Sequence, residues 1–175
     1  MTKVMANEVI EKGKRAKKAS YETNVKDTSE KNKALESIAH QLLTDMDIIV
    51  SENSKDIISG KENGLDDATL DRILLNEQRI QAMSDAIIQL IQLEDPVGEI
   101  IEEITKENGL QIVKKRVPLG VIGMIYEARP NVTVDAATLS LKTGNSVLLR
   151  GSSSAKYSNM ALVASIHRAL EAVNY

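Results

Sequence analysis

Hydrophobic residues recur with a helical period through the first half of the chain. Four stretches place apolar side chains three or four positions apart, as on one buried helix face: residues 7–20, 35–49, 66–75 and 76–94. Polar residues 53–64 interrupt this pattern at Gly60 and Gly64, and the pair Asp27 and Glu30 resembles a capping box that begins the second helix. Asn76 is expected to cap the helix over residues 76–94. We therefore predict an N-terminal helical part over residues 1–96.

The opening helix has two interpretations. Its basic residues would suit a nucleic-acid-binding arm: Lys12, Lys14, Arg15, Lys17 and Lys18. The alternative is a solvated basic face, with apolar residues turned inward: Val9, Ile10, Ala16 and Ala19. The chain has a net charge of −3 and a pI of about 5.5, and no aromatic residues interleave with these lysines. These features favour the second interpretation and argue against a nucleic-acid partner.

Strand-like segments begin near residue 97. Residues 99–104 and 110–116 flank Asn108 and Gly109, the dipeptide most typical of a type I′ hairpin turn. One arm is acidic and the other basic, which favours antiparallel pairing. A two-stranded hairpin is marginally stable alone in water. We therefore interpret residues 97–116 as an arm that packs against a partner subunit, in a homo-oligomer.

Residues 117–150 predict a strand, a turn, a helix and a second strand. The first strand contains an apolar run that we expect to be buried on both faces: Val121, Ile122, Met124 and Ile125. Pro130 ends this strand, and Asn131 or Thr133 is expected to cap the helix. Gly144 ends that helix, and residues 146–149 form the second strand. The unit is a right-handed βαβ crossover of an α/β protein.

A last helix is expected over residues 154–173. Its predicted inner face is apolar: Met160, Ala161, Val163, Ala164, Ile166, Leu170 and Val173. Two parallel strands do not complete a doubly wound sheet, and the open strand edges would favour aggregation.

The carboxyl ends of parallel strands face the ligand in such a fold, which selects residues 127–131 and 150–154. Asn131 at a helix N-terminus offers an amide donor for an anion or a developing oxyanion. Arg150 precedes Gly151, Ser152 and Ser153, where a guanidinium and hydroxyl groups would suit a phosphate. The alternative is that Asn131 is only a helix cap and Arg150 only a surface ion pair.

Composition excludes other chemistry. The chain has no cysteine, which rules out disulfides, thiolate metal sites and thiol catalysis within it. No segment is long enough to cross a bilayer and no signal peptide is evident, so we expect a cytoplasmic protein without a membrane partner. His40 and His167 stand alone and are expected at the surface. Two acidic pairs, at residues 66–67 and 94–95, are better explained as helix caps than as a metal site.

The motif Arg129-Pro-Asn-Val-Thr133 and the residues around it are similar to a known family. Residues 117–137, 141–151 and 158–159 resemble the signature of gamma-glutamyl phosphate reductase, also called glutamate-5-semialdehyde dehydrogenase. The likeness continues upstream at residues 13–19, 70–75 and 95–99. It differs at Ala128, where the family usually has Ser, and at Ser152, where it usually has Gly.

This resemblance implies the aldehyde dehydrogenase fold, with a cofactor domain, a catalytic domain and an oligomerisation hairpin. It implies that residues 117–175 are the first part of a Rossmann-type cofactor domain. It implies reduction of L-glutamyl 5-phosphate by NADPH to glutamate 5-semialdehyde and phosphate, in proline biosynthesis. The kinase that makes the acyl phosphate is then a candidate partner.

By the same resemblance, Asn131 belongs to the oxyanion hole. Arg150, Gly151, Ser152 and Ser153 belong to the cofactor site, where Arg150 could hold the 2′-phosphate of NADPH. Tyr126 and Arg129 lie in the substrate turn.

The family's nucleophile is a cysteine, which this chain lacks. We therefore expect the N-terminal part of a longer enzyme without its catalytic domain, inactive by itself. The alternatives are a non-catalytic module that binds NADPH or phosphate, and a fragment that serves only oligomerisation.

Overall fold

The computed structural model describes residues 2–175, with side chains from Asn7 onward, and has a mixed α/β architecture. Five helices precede a hairpin, and a βαβ unit and a last helix follow it. The helices are α1 (Thr2–Thr23), α2 (Thr28–Thr44), α3 (Met46–Glu62), α4 (Asp67–Ile73), α5 (Glu77–Gln92), α6 (Asn131–Lys142) and α7 (Lys156–Ala172). The strands are β1 (Ile100–Thr105), β2 (Gln111–Lys115), β3 (Val121–Ile125) and β4 (Ser146–Arg150).

Helix α2 lies at the centre of the core and packs against α5, α6 and α7. Its predicted stripe is buried, with Leu35 and Leu42 at 0% exposure and Ile38 at 1%. Residues from the neighbouring helices complete the cluster, chiefly Ile80, Met83, Ile87, Val134, Leu141, Leu162, Ile166 and Ala169. The core is thus built from aliphatic side chains.

The capping predictions for α2, α4 and α5 are confirmed. Asp27 accepts a hydrogen bond from the Glu30 N–H, and the Glu30 carboxylate accepts one from the Asp27 N–H, which forms the expected capping box. Asn76 caps α5 by accepting from the Arg79 N–H at 2.8 Å. Asp66 caps α4 in the same way.

The prediction of one helix over residues 35–49, followed by a polar interruption, is wrong. Asp45 separates α2 from α3, and α3 then runs through the polar stretch to Glu62. The polar stretch remains helical because its inner face consists of buried polar residues, including Asn53 and Asp56. Gly60 is a packing residue, since a methyl group there would lie 2.9 Å from Leu70 Cδ2.

Helix α1 is confirmed, but its apolar residues do not face a core. Val9 is 66% and Ile10 is 53% exposed, and Ala19 is also exposed. A helix of 22 residues is about 33 Å long, whereas α1 lies over a sheet of only two strands, β3 and β4. That narrow sheet leaves most of the helix uncovered.

Strands β1 and β2 form the predicted antiparallel hairpin, exposed along its whole length. Glu102 lies opposite Lys114, and Arg116 Nε donates to Glu99 at 2.5 Å. The type I′ turn is wrong, because that turn needs positive φ at both central residues and Asn108 has none. Instead, a three-residue loop over residues 107–109 ends at Gly109 with φ +83°.

A buried charge cluster anchors the base of this hairpin. Lys31, 1% exposed, forms an ion pair with Asp95, which also accepts from the Thr28 hydroxyl at 2.7 Å. Desolvation would raise the pKa of Asp95, but the bonds from Lys31, Thr28 and the Val97 N–H hold it below its usual value. Burial lowers the pKa of Lys142, whose ammonium donates to the Ile91 carbonyl oxygen at 3.1 Å.

Strands β3 and β4 are parallel and joined by α6, so the βαβ unit is confirmed. Burial of β3 on both faces is not observed: Met124 is 37% and Ile125 is 87% exposed. Within the described chain only β4 pairs with β3, so the other edge of β3 is open and Met124 and Ile125 gain no neighbours from a further strand on that side. Gly144 has φ +70° and ends α6 as predicted; a methyl group there would also lie 2.9 Å from Pro118 Cγ.

Two details of the flanking helices differ from expectation. Helix α6 begins at Asn131 with Pro130 at its N-cap position, and neither Asn131 nor Thr133 provides a side-chain cap. Helix α7 begins at Lys156, after a 3-10 turn at Ser153–Ala155. Its Met160, predicted to face inward, is 61% exposed and lines an open groove between α1, β4 and α7. The buried stripe of α7 instead combines the apolar residues Leu162, Ile166 and Ala169 with two polar ones, Ser158 and Ser165.

Candidate functional site

The two segments that follow the parallel strands are direct neighbours. Ile125 lies opposite Arg150 in the register, and the Tyr126 N–H donates to the Arg150 carbonyl oxygen at 3.1 Å. The turn over residues 126–131 therefore adjoins the loop over residues 150–153. This is the edge at which an open parallel sheet binds ligands.

The turn presents three polar side chains at the surface, those of Glu127, Arg129 and Asn131. The Arg129 N–H donates to the Glu127 carbonyl oxygen at 2.8 Å, and Pro130 is buried at the bend. Arg129 and Asn131 are both exposed. The Asn131 amide donates to the Asp135 carboxylate, one turn further along α6, at 3.1 Å. Because an amide has two N–H donors, one remains for a ligand.

Tyr126 belongs to a polar network beneath the turn. Its hydroxyl lies 2.6 Å from Thr133 Oγ1, and that hydroxyl donates to Asn159 Oδ1 at 2.9 Å. Thr133 is fully buried. The network joins the end of β3 to α6 and α7. The sequence pattern indicates Thr133 only as a helix cap and Asn159 only as part of the family resemblance.

Gly151 fits over this network because it has no side chain. A methyl group there would lie 2.4 Å from Asn159 Nδ2 and 2.9 Å from the Tyr126 hydroxyl oxygen. Its neighbours have different environments: Arg150 is exposed and donates to the Gly151 carbonyl oxygen at 3.3 Å, and Ser153 is exposed. Ser152 is half-buried and accepts from the Ser154 N–H at 3.2 Å.

The N-terminus of α7 is already occupied by a side chain from α3. The Asp56 carboxylate, 2% exposed, accepts from the N–H groups of Tyr157 and Ser158 at 3.1 and 2.8 Å. It also accepts from the Ser158 hydroxyl at 2.6 Å. Asn53 extends the network, donating to Ser158 and to the Ile73 carbonyl oxygen and accepting from the Leu75 N–H. The N–H groups of Tyr157 and Ser158 are therefore not free to bind a phosphate.

A second feature, a cavity of about 360 Å³, opens beside Asn131. Its polar lining residues are Arg72, Arg79, Asn131 and Asp135, and its apolar ones are Leu74, Leu75, Ala82, Met83 and Ala86. Burial raises the pKa of Asp135, and the hydrogen bond from Asn131 opposes that shift. Sequence reasoning did not find this cavity. The one available indication was the spacing of four between Asn131 and Asp135 on a helix.

The predicted site residues thus fall into three groups. Tyr126 and Gly151 line the groove beside α7, Asn131 lines the cavity, and Arg129, Arg150 and Ser153 are exposed near the shared sheet edge. Neither Asn131 nor Arg150 is buried. No helix within residues 2–175 is long and apolar enough to span a membrane.

Comparison with solved structures defines the fold as that of the aldehyde dehydrogenases. The acetylating aldehyde dehydrogenase of Geobacillus thermoglucosidasius superposes with a TM-score of 0.69 over 95% of this chain and 34% of its own, at 16% identity. At that identity the likeness concerns the fold alone. It confirms the predicted aldehyde-dehydrogenase-like α/β architecture, and the small sheets are consistent with an incomplete domain.

More similar relatives are gamma-glutamyl phosphate reductases, so the predicted resemblance is confirmed. The Thermotoga maritima enzyme superposes with a TM-score of 0.91 at 44% identity, over 93% of this chain and 39% of its own. The Bacillus cereus (strain AH187) enzyme is 59% identical over 165 residues, which are 94% of this chain. The chain spans 40% of the length of that relative and matches its N-terminal portion. No protein-family model matches the chain.

Proposed function

We propose that this chain forms part of an NADPH-dependent reductase that converts L-glutamyl 5-phosphate to glutamate 5-semialdehyde and phosphate, in proline biosynthesis. The identity of 59% to a gamma-glutamyl phosphate reductase supports this activity. The structural observation that carries it is the pairing of Ile125 with Arg150, which brings the turn and the loop to one sheet edge.

Asn131 has the role of oxyanion donor. Its amide sits at the first position of α6, where backbone N–H groups and the helix dipole also favour negative charge. When a nucleophile adds to the acyl carbon, the carbonyl oxygen gains charge and the amide N–H stabilises it. Arg129 is exposed in the same turn and provides a guanidinium for the substrate's anionic groups. Tyr126 acts on the substrate by positioning this turn, since its hydroxyl is engaged with Thr133.

The loop after β4 has the role of cofactor site. An exposed guanidinium beside hydroxyl groups fits the ribose phosphate of NADPH, so Arg150, Ser152 and Ser153 would hold that end. Gly151 keeps the loop close to Tyr126. When bound, the cofactor supplies the hydride that reduces the acyl group. With Asp56 filling the α7 N-terminus, Arg150 is the principal cation for the phosphate.

Together with this activity, we propose a division of the chain into domains. Residues 1–96 and 117–175 contribute to the cofactor domain, and the exposed hairpin at residues 97–116 is the arm of a homo-oligomer. The catalytic domain with its nucleophile would come from residues outside this chain. We further propose a cytoplasmic location and a kinase partner that supplies the acyl phosphate, which hydrolyses readily when free.

A chimaera tests the activity and the role of Asn131 together. This chain replaces the matching N-terminal part of the Bacillus cereus relative, and NADP⁺ reduction by glutamate 5-semialdehyde and phosphate is followed at 340 nm. Asn131→Ala should lower kcat by about 10²–10³-fold, as loss of an oxyanion-hole donor does. Asn24→Ala, an exposed amide between α1 and α2, is the matched control and should leave kcat unchanged. A folded but inactive chimaera would contradict the activity, and an active Asn131→Ala variant would contradict the role of that residue.

A cofactor titration tests Arg150. Loss of a charge-assisted phosphate bond costs about 1.5–3 kcal/mol, or roughly 10- to 150-fold in affinity. Arg150→Ala should therefore weaken NADPH binding by that factor and leave NADH binding nearly unchanged, since NADH lacks the 2′-phosphate. Lys33→Ala, an exposed cation on α2, serves as control. Equal losses of affinity for NADPH and NADH would mean that Arg150 does not bind the 2′-phosphate.

A further inference from the structure

The cavity beside Asn131 contains charges of both signs in an otherwise apolar wall. Two guanidinium groups, from Arg72 and Arg79, and one carboxylate, from Asp135, line it together with the Asn131 amide. These four residues come from three helices: Arg72 from α4, Arg79 from α5, and Asn131 and Asp135 from α6. A cavity with this lining suits a small ligand that itself carries a cation and an anion.

Asp135 differs from the other shielded carboxylates of the described chain. Asp45 pairs with Arg168 at 2.7 Å, Asp95 pairs with Lys31, and Asp56 caps the N-terminus of α7. Asp135 is half-buried, and among residues 7–175 its recorded partner is the neutral amide of Asn131. A shielded carboxylate without a cation is costly. An external ammonium group would compensate it.

The two arginines have different roles. Arg79 is fixed: its guanidinium donates to the Leu74 carbonyl oxygen at 2.9 Å, to the Asp71 carbonyl oxygen, and to the Asp71 carboxylate at 2.7 Å. Arg79 thereby holds the loop between α4 and α5 in place. Arg72, in the last turn of α4, is exposed and has no recorded hydrogen bond or ion pair among residues 7–175. Its guanidinium is available for a carboxylate.

We propose that this cavity binds the zwitterionic head of an α-amino acid, with Asp135 holding the ammonium group and Arg72 the carboxylate. The inference rests on the proposed function, in which the substrate is a glutamate derivative that reacts at its side-chain carbon. Asn131 binds the reacting end, and its amide nitrogen lies 3.1 Å from an oxygen of the Asp135 carboxylate. A three-carbon side chain can therefore place its reacting end at Asn131 and its ammonium group at Asp135. The site therefore selects amino acids over dicarboxylates.

Direct binding to the 175-residue chain tests the proposal without catalysis. L-glutamate and glutarate, which lacks the ammonium group, are titrated into ¹⁵N-labelled protein, and affinities are taken from amide shifts around Asn131 and Asp135. The wild type should bind L-glutamate about tenfold or more tightly than glutarate. Asp135→Asn should remove this preference by weakening L-glutamate alone, and Arg72→Gln should weaken both ligands. Asp47→Asn, an exposed carboxylate on α3, should change neither affinity.

Two outcomes would overturn the proposal: equal wild-type affinities for L-glutamate and glutarate, or a preference that survives in Asp135→Asn. The chimaera provides a second measurement, with 5-oxopentanoate as the substrate that lacks the ammonium group. Asp135→Asn should raise KM for glutamate 5-semialdehyde and not for 5-oxopentanoate. An equal fall in kcat for both would mean that Asp135 only positions Asn131. An inactive chimaera whose chain still prefers L-glutamate would refute the reductase activity and leave the amino-acid site standing.

Discussion

Replacing Asp56 by alanine should destabilise the chain more than its position on a polar helix suggests. The carboxylate is 2% exposed and accepts three hydrogen bonds at the start of α7, from Tyr157 and twice from Ser158. Ser158 is fully buried. Without Asp56, the N–H and hydroxyl of Ser158 would lose this acceptor in a region that water does not reach.

The magnitude follows from these contacts. Loss of a helix N-cap costs about 0.5–2 kcal/mol, and a buried polar group left without its partner costs about 1–3 kcal/mol. We expect Asp56→Ala to lower the free energy of unfolding by about 3 kcal/mol. Asp56→Asn keeps one acceptor oxygen, so its free energy of unfolding should fall by about half as much.

Urea denaturation followed by circular dichroism at 222 nm measures this change. With an m-value of about 2 kcal/mol/M, the midpoint for Asp56→Ala should fall by about 1.5 M. Glu62→Ala, an exposed carboxylate on the same helix, is the control and should stay within about 0.5 kcal/mol of the wild type. An Asp56→Ala midpoint indistinguishable from that of Glu62→Ala would refute the view that this contact holds α3 and α7 together.

Three further predictions address the loop, the charge cluster and the hairpin. Gly151→Ala places a methyl group 2.4 Å from Asn159 Nδ2 and should lower stability by about 1–3 kcal/mol, measured by thermal melting; an unchanged melting temperature would contradict the tight fit. The lowered folded-state pKa of Asp95 means that its stabilisation is present above its unfolded pKa of about 3.9 and is lost as pH falls through the folded value. The stability gap between wild type and Asp95→Asn should therefore be full at pH 6 and close in acid, and a gap that widens in acid would be inconsistent with this sign. Replacing residues 100–115 by a short linker should abolish self-association in sedimentation without lowering the melting temperature, whereas unchanged association would exclude the hairpin as the oligomer arm.

Features specified by neighbouring residues could be predicted from the sequence. The Asp27 capping box, the Asn76 cap, the hairpin at residues 97–116 and the end of α6 at Gly144 each depend on hydrogen bonds or backbone angles within a few positions. The adjacency of residues 127–131 and 150–154 also followed, because two parallel strands align their carboxyl ends whatever surrounds them.

Features that depend on partners distant in the sequence could not be predicted. Asp56 and the Tyr157 amide that it caps are separated by 101 residues, so the polar face of α3 resembled a loop until α7 was in place. The prediction that β3 is buried on both faces failed for a related reason. An apolar run indicates which residues favour burial, but the cover comes from other elements, and β4 is the one strand that pairs with β3 in the described chain.

The site residues also divide into those that could be predicted from neighbouring residues and those that could not. Asn131 and Arg150 could be selected because each follows a predicted strand. Arg72 and Asp135 line one cavity only because segments that are distant in the sequence fold together. No pattern in the α4 sequence distinguishes Arg72 from the other surface arginines. The polar network around Tyr126 could not be predicted either, since Asn159 lies on a different helix from Thr133.

Titrating NADPH into the ¹⁵N-labelled chain tests most directly whether one edge of the sheet binds the ligand. If the turn and the loop form one site, amide resonances from residues 126–131 and 150–153 should shift together, with the same dependence on NADPH concentration. Shifts confined to one of these two segments, or to neither, would contradict a shared site at the ends of β3 and β4.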